Sequence, residues 1–218
     1  MTASGVSLIL LGAGSAKRFG SNKLLEQLDG KPVGFYALEG YASLPFARRI
    51  YVSRADYAPL WERADALGYE VVMNRDPDRG IASSIRLGLH VWAAGGMQGN
   101  GVLFGVSDQP WLRARSVERM LEAFRSAPDR IVRLEKDGRE GNPVLFPVSL
   151  CAELMHLEGD VGGKRVLARY PGLVLPVEAE EEAELADCDA PDDLQRKPRG
   201  AVEESFNTVS GIEGGSDE

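Results

Sequence analysis

Short apolar runs rich in Val, Ile and Leu, at residues 7–11, 50–53, 70–73, 102–106, 131–134, 144–146 and 173–177, alternate along the chain with helical patterns. The helices are predicted at 32–44, 56–67, 82–94, 116–124, 148–156 and 162–169. Strands that read as apolar almost throughout are covered on both faces, and intervening helices supply both the cover and the crossovers. The expectation is an α/β protein with a mostly parallel sheet and helices on both faces. Its ligand crevice then lies beyond the carboxyl ends of the strands. Pro32 suits a first helical turn and Gly68 a helix stop. With 218 residues, 44% of them hydrophobic, the chain can bury one substantial core, and a single domain over residues 1–195 is expected. From Gln195 onward apolar periodicity is lost, so residues 196–218 read as a disordered tail.

The first predicted strand runs into Leu11-Gly12-Ala13-Gly14-Ser15-Ala16-Lys17-Arg18-Phe19-Gly20-Ser21-Asn22-Lys23. Small residues at 12–15 let backbone N–H groups approach an anion, and Arg18 and Lys23 add two cations that a short loop can converge on one polyphosphate. Two familiar phosphate loops fail on counting. A Walker loop needs Gly, four residues, then Gly-Lys-Ser/Thr, whereas Gly14 and Gly20 enclose five residues and Ser21 follows. The dinucleotide fingerprint would place its third glycine at position 17, which is Lys17, and no clean ribose-binding acid closes the unit about 20 residues on. A Gly-x-Gly after a strand is also compatible with a plain turn, and the two cations are what favour a nucleotide site.

A net charge of −8 argues against a nucleic-acid partner, because phosphate backbones are bound by clustered Lys and Arg. Cys151 and Cys188 are too few and too isolated for a metal cluster or a disulfide framework, and both are expected reduced. With no signal peptide and no apolar run near about 18 residues, no membrane partner is expected and the protein is placed in the cytoplasm.

Asp108 follows the apolar run at 102–106 and admits two readings, a cap for a helix from Trp111 onward or a carboxylate facing the glycine loop that binds Mg²⁺. The turn-rich stretch from Asn74 leads into a helix through Ser83 and Ser84. A serine cap there would aim helix N–H groups into the crevice. His90 and His156 sit in helical patterns away from any Gly-x-Ser-x-Gly elbow and read as surface or packing residues, which leaves a hydrolase triad without support. Gly141-Asn142-Pro143 precedes a predicted strand. Asp187 to Leu194 is either a capped helix start, with Asp189 as the cap, or the source of a second metal ligand at Asp189. The acidic run at 178–184 reads as a solvated face.

Taken in order, Leu11-Gly12-Ala13-Gly14-Ser15, Arg18-Phe19-Gly20, Lys23-Leu24, Gly80-x-x-Ser83-Ser84, Ser107-Asp108-Gln109-Pro110, Gly141-Asn142-Pro143-Val144-Leu145-Phe146, Gly159-Asp160-x-Gly162 and Asp187-x-Asp189-Ala190-Pro191-Asp192-Asp193-Leu194 resemble the molybdenum cofactor cytidylyltransferases. That family lies within the nucleotidyltransferase superfamily and is related to the guanylyltransferases of the same pathway. The resemblance runs from about Ser7 to Leu194. It implies a Rossmann-like nucleotidyltransferase fold and transfer of CMP from CTP to the phosphate of molybdopterin-bound molybdenum, with release of pyrophosphate and Mg²⁺ as cofactor. It further implies that Leu11, Gly12, Ala13, Gly14, Ser15, Arg18, Lys23, Ser83, Ser84 and Asp108 bind the nucleotide, with Arg18, Lys23 and Asp108 catalytic. Gln109 and Asn142 fall on the acceptor side, Asp108 on the metal, and Asp189 matches a second metal ligand of more distant sugar cytidylyltransferases. A recipient molybdoenzyme would be a further partner. The usual Ala-Ala-Gly is Gly12-Ala13-Gly14 here, Gly-Asp-Gln-Pro is Ser107-Asp108-Gln109-Pro110, and Gly-His-Pro is Gly141-Asn142-Pro143, which removes a titratable ring from the acceptor side. The competing expectations are a superfamily member using GTP or another phosphorylated acceptor, and a non-catalytic cofactor chaperone.

Overall fold

The computed structural model describes residues 5–14 and 22–188. In chain order the strands are β1 (Val6–Leu11), β2 (Gln27–Leu28), β3 (Lys31–Pro32), β4 (Arg49–Ser53), β5 (Glu70–Met73), β6 (Gly101–Val106), β7 (Ile131–Lys136), β8 (Arg139–Pro147) and β9 (Val174–Glu178). The helices are α1 (Val33–Ala42), α2 (Ala58–Ala66), α3 (Ile81–Ala94), α4 (Ala114–Ser126), α5 (Cys151–Met155) and α6 (Lys164–Arg169).

The main sheet has the order β5-β4-β1-β6-β8-β7-β9. Strands β5, β4, β1 and β6 are mutually parallel, β8 is antiparallel to both β6 and β7, and β9 is parallel to β7. Only β8 therefore runs against the rest. Its reversal is local in origin: Asp137 and Gly138, at φ 49° and 78°, form a two-residue turn from β7, and such a turn permits only an antiparallel return.

The two-residue period of the strands divides the core into two layers. Leu8 and Leu10 of β1 face α1, α2 and α4 through residues such as Tyr41, Leu60 and Phe124. Ile9 faces the other way, joining Ile50 and Val52 against α3, α5 and α6 through Leu89, Trp92, Leu154 and Val166. Helices on both faces follow from this alternation, because an uncovered face would leave a row of these aliphatic side chains in water.

The sequence boundaries needed several corrections. Pro32 stands one residue before α1, as its N-cap, and Asp29-Gly30 closes a small β2–β3 hairpin that the apolar pattern did not reveal. Helix α4 is longer than the predicted 116–124. The predicted helix at 148–156 is a 3₁₀ turn, Val148–Leu150, followed by the short α5. Strand β8 extends well beyond 144–146 and absorbs Gly141, Asn142 and Pro143 instead of following them. Gly68, at φ 78°, stops α2 as expected, its N–H donating to Asp65 O at 2.9 Å. The tail expected at 196–218, and the end of the domain placed at 195, lie outside the described residues. Among the described residues no helix is long and apolar enough to cross a membrane.

Candidate active site

Strands β1, β4 and β6 end together on one edge of the sheet, and the backbone leaving β1 is held between its neighbours. Gly12 N–H donates to Val52 O at 2.8 Å, and Ser107 N–H donates to Leu11 O at 3.0 Å. Glycine is required at position 12 because a Cβ there would overlap the phenol of Tyr51. Burial pushes that phenol up to about 12, although the neighbouring Ser107 and Ser53 hydroxyls pull the other way, so it stays neutral beneath the loop. Gly14 faces open space, and Tyr57 Oη donates to its carbonyl at 3.3 Å. Ala13 lines the cavity described below and packs into the layer formed by Ile9, Ile50 and Val52.

The far end of the loop returns at Lys23, whose ammonium meets Asp108 Oδ2 at 2.6 Å. This contact joins the two motifs that sequence spacing left 85 residues apart. The helix-cap reading of Asp108 fails, since α4 starts only at Ala114 with Arg113 at its N-cap. Ser15 and Arg18 of the loop, and Asp189, lie outside the described residues.

The serine cap is corrected as well. Gly80, at φ 82°, is the N-cap of α3, and both serines lie inside the first turn. Asn74, at the end of β5, donates through Nδ2 to Ser83 Oγ and Ser84 Oγ, each at 2.9 Å. Ser83 Oγ in turn donates to Gly80 O at 2.8 Å. Ser84 faces the cavity, whereas Ser83 does not line it and serves to hold the turn.

Two cavities open at this edge. The first, about 270 Å³, is lined by the backbone of Gly12 to Gly14 together with Lys23, Ser84, Ser107 and Asp108. The second, about 490 Å³, is lined on its polar side by Gln109, Arg133, Arg139, Glu140, Asn142, Lys164 and Asp187. Leu11, Ile81, Val106 and Asp160 line both and form the wall between them. Gln109 is 2% exposed, with its carbonyl oxygen unpartnered among the described residues. Asp160 is a lining residue to which the sequence alone assigns no role, and its signal is the motif Gly159-Asp160-x-Gly162. The motif packs against the start of α3: Ala82 N–H donates to Gly159 O at 3.1 Å, a Cβ on Gly80 would collide with that carbonyl, and Gly159 itself takes φ 64°.

The acidic run at 178–184 is more than a solvated face. Glu184 is fully buried and its carboxylate accepts backbone N–H groups from Arg113, Glu180 and Glu181 at 3.1, 2.8 and 3.1 Å. This strap continues to Cys188, whose N–H donates to Asp108 O at 2.9 Å. Other members of the run pair outward, Glu180 with Arg113 and Arg115, Glu178 with Lys136. His90 and His156 are exposed and away from both cavities. Cys151 and Cys188 are free thiols, and burial pushes Cys151 up to about 12, which makes it a poor nucleophile.

The chain is similar to the purine catabolism protein PucB of Bacillus subtilis, at 26% identity over 193 residues, spanning 85% of this chain and 92% of the relative. It is also similar to nicotine blue oxidoreductase of Paenarthrobacter nicotinovorans, at 28% identity over 200 residues, spanning 88% and 95%. In fold it matches the Rv0371c homologue of Mycobacterium sp. strain JC1, with a TM-score of 0.76 and 23% identity over 89% of this chain and 95% of that one. Rv0371c of Mycobacterium tuberculosis in complex with manganese matches with a TM-score of 0.69 and 21% identity over 88% and 96%. Residues 8–174 match the MobA-like NTP transferase domain, a span that takes in the glycine loop, Lys23, Asp108, Asn142 and the wall residue Asp160. The chain belongs to the MobA-like NTP transferase family.

Proposed function

We propose that the protein transfers CMP from CTP to the phosphate of molybdopterin-bound molybdenum, releasing pyrophosphate, with Mg²⁺ as cofactor. The observation that carries the reading is the pair of cavities meeting at one wall, with the glycine loop and the Lys23–Asp108 pair on one side of it. Group transfer between two bound molecules needs such an arrangement, because the donor phosphorus and the acceptor oxygen must be brought together in line. The first cavity takes the nucleotide, with Gly12, Ala13 and Gly14 supplying backbone groups and Ser84 a hydroxyl. The second takes the acceptor, with Gln109 and Asn142 on its lining.

No general base is required. A phosphate monoester carries about −1.5 to −2 charge at pH 7, so its oxygen can attack the α-phosphorus directly once repulsion is masked. The new bond is from that oxygen to the α-phosphorus. The bond broken is from the α-phosphorus to the bridging oxygen, which leaves with pyrophosphate. Lys23, and Arg18 by its place in the loop, neutralise charge on the departing group.

The donor set at Asp108 suits a hard divalent cation. The Asp108 carboxylate lies at the cavity with the Lys23 ammonium already against it and Asp160 in the wall beside it, and phosphate oxygens and water would complete the shell. When bound, Mg²⁺ would mask phosphate charge and polarise the reacting phosphoryl group. Asp108 would hold it, with Asp189 as a proposed second ligand.

Turnover of labelled CTP with and without molybdenum cofactor tests the proposal, and CMP incorporation that requires the cofactor is the expected result. Nucleotide binding without transfer would support a chaperone instead. The relative named nicotine blue oxidoreductase makes a redox reading the competitor, and nicotine blue reduction without any nucleotide triphosphate would favour it. CTP should be preferred over GTP. If the Ala13 methyl narrows the base site, the preference is about 10- to 200-fold, and equal GMP incorporation would rule that specificity out.

A further inference from the structure

We infer that Lys164 binds the phosphate of the acceptor and is the residue that restricts the second cavity to phosphorylated molecules. The inference rests on the two-cavity transfer reading. An acceptor phosphate arriving at the shared wall meets the donor's phosphates and the Asp160 carboxylate, so a cation from the acceptor side must offset that charge.

Among the described residues three cationic side chains line the second cavity, and one of them is firmly committed. Arg133 is held on both sides, Nη2 on Glu135 and Nη1 on Glu140, each at 2.6 Å. Arg139 faces Glu182 at 3.6 Å, a pair exposed on both sides that holds it only loosely. Arg133 cannot give its full charge to a ligand without abandoning two carboxylates, and Arg139 is drawn outward toward one. Lys164 is exposed into the cavity, and no ion pair engages its ammonium among the described residues.

Its position is fixed by the loop that also places Asp160. Arg86 Nη1 donates to Leu157 O at 2.9 Å and Ala82 N–H to Gly159 O at 3.1 Å, which fastens residues 157–160 to α3. Asp160 lies in the wall common to both cavities, and the chain then passes Gly162 and Gly163 along the second cavity to Lys164. Lys164 therefore stands on the lining of the second cavity, in the segment that follows directly from the crossing point at Asp160. A cation held there can meet an acceptor phosphate while leaving the donor's contacts with the glycine loop alone.

The test uses the full chain as wild type, Lys164→Met and Lys164→Arg, each saturated with Mg²⁺ and a non-hydrolysable CTP analogue so that the donor cavity is filled. Inorganic phosphate is titrated in and followed by ³¹P line broadening, and the affinity of each protein for the analogue is measured separately. Lys164→Met is expected to weaken phosphate binding by roughly tenfold or more, the worth of one charge-assisted hydrogen bond. Lys164→Arg should restore it to within about threefold, and analogue affinity should be equal in all three. In turnover, KM for the cofactor should rise in Lys164→Met and recover in Lys164→Arg. Equal phosphate binding by Lys164→Met and wild type would overturn the inference, as would a parallel loss of analogue affinity. A wild type that binds the analogue and phosphate yet transfers no CMP would instead sink the cytidylyl-transfer reading, leaving the phosphate measurement to decide Lys164 by itself.

Discussion

Asp108 is the side chain on which most of the proposed chemistry converges, and it contributes little to packing. Asp108→Asn should lower Mg²⁺-dependent transfer by about 10²- to 10³-fold, the usual cost of removing one preorganised charge contact. Its partner Lys23 is a half-buried ion pair at the edge of the cavity, so the stability change should stay within about 1 kcal/mol. Near wild-type turnover in Mg²⁺ would remove Asp108 from the metal site. Gly12 should behave in the opposite way. A methyl at this position meets the Tyr51 ring, which is fully buried in the core, so Gly12→Ala should cost about 1–3 kcal/mol by overpacking before any ligand is considered. A denaturant midpoint unchanged from wild type would show that the ring has room to yield.

At the scale of elements, α1 offers a prediction with a definite pH sign. Glu39 joins Lys31 at 2.8 Å and Arg63 at 2.7 Å, tying α1 to the β2–β3 hairpin and to α2. Burial pushes its carboxyl up, but hydrogen bonds and charge from Lys31 and Arg63 outweigh this, and the net shift is downward. The stabilisation is thus fully present above the unfolded carboxyl pKa, near about 4.3, and is lost as pH falls through the lower folded value. Glu39→Gln should cost about 0.2–1 kcal/mol at pH 7 and nothing once both forms are protonated. A difference persisting to pH 2 would mean that packing, and not charge, is the cause. Elements with strong apolar periodicity, such as β1 and β6, were legible in the sequence. The β2–β3 hairpin escaped because its strands have two residues each, and only the Asp29-Gly30 turn could have signalled it. The polar half of β8 escaped for a related reason: Arg139 to Asn142 carry no apolar alternation, and pairing with β7 is what extends the strand. Glu184 looked like its acidic neighbours because nothing in a run of glutamates distinguishes the one that turns inward.

For the molecule as a whole, the sequence made the first cavity more legible than the second. The glycine loop, Lys23 and Asp108 are compact motifs, whereas the second cavity draws Gln109, Arg133, Asn142 and Lys164 from four separate places in the chain. Removal of residues after Gln195 should leave both melting temperature and transfer nearly unchanged, since that stretch offers no amphipathic face to bury. A drop of several degrees on truncation would show that it docks. Truncation before Glu184 is a different matter, because the buried carboxylate is the meeting point of three amides from two distant segments. Those amides, on Arg113, Glu180 and Glu181, lie outside the strands and the long helices. They should nonetheless exchange with deuterium as slowly as neighbouring strand amides, and so should Cys188, whose amide is bonded to the carbonyl of Asp108. The strap thereby becomes a natural reporter: nucleotide and metal gathering at Asp108 should slow exchange at Cys188, some eighty residues further along the chain.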